Sequence, residues 1–141
     1  MTRYNEAYLD DVVETQGRLF DEVTSFSPGI DVESFIDTYM RSNTRAAIDS
    51  GQAYVGTMSA EDLWEFFLKN DNYTPKKGRS IPGFIPDWIG QFYAYYQWYY
   101  GMPSSRIIDI VPLEYLKAAY HGLHDLELDL AVKKVGGTII A

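Results

Sequence analysis

The sequence predicts an all-α protein: a single compact domain over residues 1–141, with six or seven helices around a central aromatic helix. Three observations lead to this prediction. Apolar residues recur with helical spacing in most segments, proline and glycine separate those segments, and little of the chain has a strand pattern. The length suits one domain, and an apolar content of 46% is enough for a hydrophobic core.

The first half of the chain carries two long helical patterns. Residues 3–24 place apolar side chains near one face and acidic ones mostly elsewhere, which is typical of an amphipathic helix. Gly17 lies in the middle and costs about 1 kcal/mol relative to alanine, so it indicates a bend or a close contact. The second helix is predicted from Val32 to about Ser50, with Asp31 as its N-cap and Gly51 as its end.

The next segments are less regular. Residues 51–58 predict no more than a loop or one brief strand. Ser59 begins the third helix, because Asp62 follows it at the spacing of a capping box, and the apolar run after it ends near Asn70. Residues 71–85 contain two prolines, two glycines and three basic residues. Irregular loops of this length inside a domain are often functional or mobile.

The segment "DWIGQFYAYYQWYY", residues 87–100, is predicted to be the central helix, with Pro86 at its first turn and Gly101 at its end. Eight of its fourteen residues are aromatic. A helix that is aromatic nearly all round must be covered nearly all round, so we expect most of these side chains in the core. A strip of smaller residues offers a close approach to another helix. The strip consists of Gly90, Ala94 and Gln97.

Proline and glycine divide the remaining chain into three short helices, which favours orthogonal packing over a long up-down bundle. The predicted boundaries are Ser104 or Ser105 as an N-cap, Pro112 as a break, Gly122 as an end, Asp125 as an N-cap, and Gly136 and Gly137 as the last end.

Two groups of residues are candidates for contact with a protein partner. The first is an exposed edge of the aromatic helix, because tyrosine and tryptophan bury a large area at low entropic cost in interfaces. The second is the loop "TPKKGR", which suits an acidic partner or a phosphate and is also compatible with a plain solvated loop. Its glycine spacing matches no phosphate-binding loop. The candidates are Tyr93, Tyr96, Trp98 and Tyr100 in the helix and Lys76, Lys77 and Arg79 in the loop.

The sequence "HGLHD" is the one candidate for a metal site. His121 and His124 are three residues apart, and Glu127 or Asp129 can add an oxygen ligand if a helix brings both rings to one side. Gly122 favours a turn instead, and histidines in such a place more often cap a helix or fill the surface.

Charged side chains on the second helix form an i, i+4 row. Arg41 and Arg45 lie one turn apart on one face of the helix. Asp37 precedes Arg41 by four residues and Asp49 follows Arg45 by four residues, on the same face. This spacing predicts salt bridges on an exposed face that support the helix and its solvation rather than a site.

Composition narrows the classes of function. The net charge of −8 disfavours binding to nucleic-acid phosphates, and the aromatic helix has no basic residue for a base-stacking platform. The absence of cysteine excludes disulfides, thiolate metal sites and cysteine nucleophiles. Because no apolar run reaches about 18 residues and the N-terminal stretch has none, we expect no signal peptide, no membrane contact and a cytoplasmic location.

A series of motifs covers the last third of the chain: tryptophan with glycine two residues on, a tyrosine-rich helix, a Ser-Ser helix start, a tyrosine, a histidine and a final "LAV". They are Trp88 and Gly90, Tyr93 to Tyr100, Ser104 and Ser105, Tyr120, His124, and Leu130 to Val132. In these motifs the chain resembles a group of small uncharacterised bacterial proteins, mostly from Firmicutes, which are often encoded beside toxin-like genes. The resemblance implies an antitoxin-like or regulatory binding protein and implies no catalytic residue.

We therefore expect an interaction protein without enzymatic activity, metal or cofactor, which binds and neutralises a protein partner such as a toxin or a host protein. The alternative is a metal-dependent or small-ligand-binding enzyme that uses His121 and His124. A third hypothesis is a phage or mobile-element regulator that binds a host protein.

Overall fold

A computed structural model describes residues 4–140, except the side chains of residues 139 and 140, and this part of the chain forms nine α-helices. An isolated antiparallel bridge between Ile30 and Lys77 is its only strand-like pairing, so the all-α prediction is confirmed. The helices are α1 (Leu9–Phe26), α2 (Val32–Met40), α3 (Asn43–Asp49), α4 (Ala53–Gly56), α5 (Ala60–Asn70), α6 (Ile85–Tyr100), α7 (Ser104–Ile110), α8 (Leu113–Leu123) and α9 (Leu128–Ile140).

The first helix is shorter at its start than predicted. Residue 3 lies outside the described range, and α1 begins only at Leu9. Asn5 accepts a hydrogen bond from the N–H of Ala7 and so caps a 3-10 turn, Glu6–Tyr8, that leads directly into α1. The Asn5 side chain therefore bonds a backbone N–H group of this first turn, and the regular α-helix begins after it, later than predicted.

The predicted helix from Val32 to Ser50 is in fact two helices, α2 and α3, which separate at Ser42. The Ser42 hydroxyl donates to the carbonyl of Tyr39 (2.6 Å) and accepts from the N–H of Arg45 (3.0 Å). One serine thus bonds the last turn of α2 and caps α3 at the same time.

A distant residue completes the break between α2 and α3. Asp71, just after α5, accepts hydrogen bonds from the N–H groups of Asn43 (2.7 Å) and Thr44 (3.1 Å). These N–H groups belong to the first turn of α3, which has no intrahelical acceptor for them. The break is therefore stabilised by a carboxylate 28 positions away in sequence, which local pattern does not reveal.

Three boundaries near the C-terminus also differ from prediction. Pro103 is the N-cap of α7 and Ser104 is its first helical residue, so neither serine is the cap. α9 begins after Asp125, at Leu128, and continues through both glycines. Gly136 is accommodated because α9 packs against the ring of Tyr100 there, and any side chain at that position would overlap the ring.

Three other predictions concern an irregular segment, a helix start and a helix end. Residues 51–58 contain the short helix α4, not a strand. Ser59 caps α5 by accepting from the N–H of Asp62 (3.1 Å), as the capping-box spacing indicates. Gly101 ends α6 in the left-handed region, with a φ of 61°, which confirms its predicted role.

The helices α1 and α6 pack backbone against backbone at a pair of glycines. A Cβ atom at Gly90 would overlap the carbonyl of Gln16 and lie 2.8 Å from the Cα of Gly17. A Cβ atom at Gly17 would lie 2.6 Å from Oδ1 of Asp87 and 2.9 Å from its carbonyl oxygen. The predicted close contacts at Gly17 and at the strip of smaller residues are confirmed, and they form the same contact.

The aromatic helix α6 is largely buried, as predicted. Phe92, Tyr93 and Tyr96 are fully buried and belong to one hydrophobic cluster that receives residues from α1 through α9. Trp88 is half-buried and meets the ring of Tyr120 on α8 edge to face, with 5.5 Å between the centroids. Offset and edge-to-face pairs of this kind add to the stabilisation from burial.

No helix in the described part of the chain is both long and apolar enough to cross a membrane.

We predict that Gly90→Ala destabilises the protein by about 1–3 kcal/mol, because the added methyl group forces α1 and α6 apart. Gly122→Ala is the matched control, since its Cβ atom meets nothing within 4 Å. On a helix, that exchange should stabilise by about 0.5–1 kcal/mol. Urea unfolding measures both, and equal effects of the two substitutions would contradict the packing described here.

Candidate functional site

Residues 76–79, called the basic segment below, are held in a fixed position within the long loop. Three backbone hydrogen bonds connect them to residues 29–32, with N···O distances from 2.7 to 3.0 Å. Paired backbone on both sides leaves this part of the loop few alternative conformations. The donors and acceptors are Asp31 to Lys76, Val32 to Arg79, and Gly78 to Gly29.

The loop around the basic segment is also anchored by side chains. Before it, the ring of Tyr73 packs into the aromatic core, 4.8 Å from the ring centroid of Phe67, and burial raises the pKa of the Tyr73 hydroxyl. After it, Ile81 is buried, with 7% of its surface exposed. Asp71, which caps α3, fixes the start of the loop. The predicted loop is therefore irregular, and contacts at several points between residues 71 and 81 hold it against the rest of the protein.

The side chains of the basic segment point to solvent. Lys76, Lys77 and Arg79 are all exposed, and in the part of the chain that the structure describes none of them forms an ion pair. Phe84, later in the same loop, is 77% exposed, more than any other large apolar residue of the described chain. Asp31 lies beside Gly78, where its carboxylate caps α2.

The predicted tyrosine edge of the aromatic helix is only partly available. Tyr93 and Tyr96 are fully buried, so these two candidates do not contribute to a contact surface. The Tyr93 hydroxyl donates to the carbonyl of Val111 (2.7 Å) and serves the packing of α6 against the chain after α7. Other helices pack against the side of α6 that carries Tyr93 and Tyr96, where the sequence predicted an exposed surface.

The remaining two aromatic candidates are half-buried. The indole N–H of Trp98 donates to the carbonyl of Tyr4 (2.8 Å), which ties the start of the described chain to α6. The ring of Tyr100 packs against Gly136 of α9. Both side chains thus have structural contacts, and the basic segment is the candidate that remains exposed.

The two histidines have other contacts in the structure. His124 stacks on Tyr120 with 4.4 Å between ring centroids, and its Nδ1 lies 2.8 Å from the Tyr120 carbonyl. The rings of His121 and His124 are 6.3 Å apart and nearly perpendicular. Asp129 bonds to Lys133 (3.4 Å). Among the described residues, no group of three or more His, Asp or Glu side chains is arranged to hold a metal ion.

A buried polar network, which the sequence reasoning assigned to the surface, lies between α1, α2, α3 and α7. Arg45 is only 1% exposed and Asp49 6%, so their predicted place on an exposed salt-bridge row is wrong. Arg45 donates from Nη1 to Oε1 of Gln16 (2.6 Å), and from Nε to Oγ of Ser104 (2.9 Å) and Oδ1 of Asp49 (3.3 Å). Tyr39 donates its hydroxyl proton to the same Gln16 oxygen (2.7 Å).

Asp49 connects this network to the start of α7. Its Oδ2 accepts from the backbone N–H of Ser104 (2.7 Å) and its Oδ1 from the Ser104 hydroxyl (2.8 Å). Burial raises the pKa of the Asp49 carboxyl, while the Arg45 charge and the Ser104 hydrogen bonds act in the opposite direction. Because Pro103 has no capping side chain, Asp49 takes the capping role for α7 from another helix.

The buried network also affects neighbouring tyrosines. Burial raises the pKa of Tyr4 to about 12, with Arg45 lowering it and Asp49 raising it. Burial also raises the pKa of Tyr39, whose ring lies 6.0 Å from the Arg45 guanidinium carbon. Both hydroxyls therefore stay protonated at neutral pH, and the network connects α1, α3 and α7.

No protein-family model matches the chain. No curated protein and no solved structure matches it either.

We predict that Arg45→Met lowers the free energy of unfolding by about 3–5 kcal/mol, because it leaves the Asp49 carboxylate buried without its partner. The double variant Arg45→Met, Asp49→Ala should lose less free energy of unfolding than the two single variants lose together, because the two residues share one interaction. Arg18→Met, which breaks an exposed pair with Glu14, is the control and should cost about 1 kcal/mol or less. Urea unfolding of the wild-type protein and the four variants gives the comparison, and equal losses for Arg45→Met and Arg18→Met would refute the role of the network.

The pair Arg41–Asp109 predicts a pH effect. Arg41 donates to Asp109 (2.8 Å) and holds the pKa of that exposed carboxyl below its usual value. A depressed folded pKa means that the stabilisation is present above the unfolded value of about 3.9 and disappears as pH falls through the folded value. Asp109→Asn should therefore lower the melting temperature at neutral pH and have no effect in strong acid. In an Arg41→Met background, which removes the pair, the same substitution should show no such dependence on pH, and melting curves recorded from neutral to strongly acidic pH measure both.

Proposed function

We propose that this protein is an interaction module that binds an acidic surface of a partner protein through the basic segment. The observation that supports it most is the anchoring: three exposed cationic side chains extend from a backbone that is already fixed to residues 29–32. A binding loop that is ordered before it binds loses less conformational entropy on association. More of the contact energy then appears as affinity.

Charge supports an acidic partner. The chain has a net charge of −8, whereas residues 71–85 contain three basic residues and one acidic residue, Asp71, whose carboxylate is bonded to Asn43 and Thr44. A negative partner surface is therefore attracted to this loop and repelled by much of the remaining molecule, which favours one orientation of docking. Phe84 adds an exposed apolar side chain in the same loop, and aromatic side chains often contribute much of the energy of an interface.

The narrower role within this proposal is that of an antitoxin. It rests on the resemblance of the last third of the chain to proteins encoded beside toxin-like genes. In this role the protein binds a toxin and blocks its active surface; a host protein is the other class of partner. The proposal assigns no catalytic step to the protein.

A charge reversal of the basic segment tests the surface. The variant Lys76→Glu, Lys77→Glu, Arg79→Glu should bind the protein encoded by the adjacent gene at least about tenfold more weakly, measured by calorimetry on the purified proteins. The affinity of the wild-type protein should fall as salt is added, because the attraction is between exposed charges. Co-expression should show whether the wild-type protein neutralises the neighbour and the variant does not.

The control carries the same change of charge elsewhere. Lys69→Glu, Arg106→Glu, Lys134→Glu reverses three exposed cations outside the loop and should bind as the wild-type protein does. If both triple variants bind equally well, the basic segment is not the contact surface. If the wild-type protein neither binds nor inhibits the neighbour, the antitoxin role is wrong.

A further inference from the structure

A small cavity lies at the N-terminal end of α1, away from the basic segment. Its volume is about 130 Å³ and its walls are mainly apolar. Tyr8 lies at this cavity and is 57% exposed, so an aromatic ring is available to an incoming group. The apolar side chains of the wall come from Tyr4, Val12, Ile48 and Ala53, and the remaining lining residues are Gly51, Gln52, Gly56 and Thr57.

An open depression of about 400 Å³ adjoins this cavity and has a different chemistry. The two share Tyr8, Gly56 and Thr57 as lining residues. The depression is also lined by the carboxylates of Asp11 and Glu14, both exposed. Glu14 is paired with Arg18 (2.8 Å), whereas Asp11 has no ion-pair partner among the described residues. Residues 4–15 contain four acidic residues and no basic one.

The size of the cavity limits what it can hold. An apolar cavity of about 150 Å³ in a protein stays dry and binds benzene, so a slightly smaller one suits one aliphatic side chain. A buried apolar side chain with a charge beside it is a common pattern in peptide recognition.

The geometry points to a second interaction site here: the cavity accepts one aliphatic side chain of a partner peptide, and Asp11 and Glu14 attract a lysine or arginine next to it. The partner is thus a basic segment with an apolar anchor, whereas the basic segment of this protein suits an acidic surface. The two sites are at opposite ends of α1, whose 18 residues span about 27 Å. They are therefore independent, and this proposal does not depend on the function proposed above.

A model peptide tests the site on the full chain. The probe is a decapeptide of glycine and serine with one leucine followed by two lysines, titrated to millimolar concentration into ¹⁵N-labelled protein. We expect saturable shifts of the backbone amides from residue 51 to residue 57. Replacing the leucine by serine, or the lysines by glutamates, should weaken binding at least about tenfold.

A filled cavity provides the matched variant. Gly56→Leu places a side chain at the rim, where a Cβ atom meets nothing within 4 Å, so it should fold normally and lose at least about tenfold in affinity for the probe. Gly137→Leu makes the same change in open space on α9 and should leave the affinity unchanged. The melting temperature of each variant checks its folding.

The titrations distinguish a specific site from its absence. Saturable shifts that need the leucine, need the lysines and disappear in Gly56→Leu support the site. Absence of saturation with the wild-type protein, equal binding of the leucine-free peptide, or equal binding by the Gly56→Leu and Gly137→Leu variants would overturn it.

Discussion

The contact between the backbones of α1 and α6 is the constraint on which the rest of the structure depends. Gly90 lies against the carbonyl of Gln16, and this places the Gln16 side chain at the junction with α2 and α3. The Gln16 oxygen then accepts from both Tyr39 and Arg45. Arg45 in turn holds Ser104 at the start of α7. The glycine contact between α1 and α6 is therefore connected, through Gln16, to the buried charge of Arg45 on α3.

Burying the charge of Arg45 costs free energy unless the guanidinium is hydrogen-bonded and paired with an opposite charge. The guanidinium of Arg45 donates from Nε and Nη1 to an amide oxygen, a hydroxyl and a carboxylate, and the carboxylate itself accepts two hydrogen bonds from Ser104. An ion pair of this kind contributes little net stability compared with apolar packing, but it tolerates few alternative arrangements. Its effect is to define how α1, α3 and α7 meet, while the aromatic side chains around it supply the apolar burial.

The sequence predicted the features that depend on neighbouring residues. The capping of α5 by Ser59, the end of α6 at Gly101 and the close contact at Gly17 and Gly90 all follow from local chemistry. The break between α2 and α3 could not be predicted in this way, because part of its stabilisation comes from Asp71, which is near only after folding. The same holds for Ser104, which resembled a cap and instead bonds a carboxylate supplied by α3.

The candidate site was predicted in part. The exposure of Lys76, Lys77 and Arg79 agrees with the pattern of the loop, but its anchoring to residues 29–32 involves backbone groups, which carry no sequence signal. Arg45 and Asp49 show the opposite case. Their i, i+4 spacing suits both an exposed salt bridge and a buried one, and only the packing of α3 against α1 and α7 decides between them.

The distribution of charge along α1 has a physical consequence. The acidic residues 4–15 and the basic segment place opposite local charge near the two ends of this helix. The Debye length in physiological salt is about 8 Å, far below the length of α1, so ions in solution screen one end from the other. An approaching macromolecule therefore experiences the local sign of the nearest end rather than the net charge. An overall acidic protein can in this way attract an acidic surface at one end and repel it at the other.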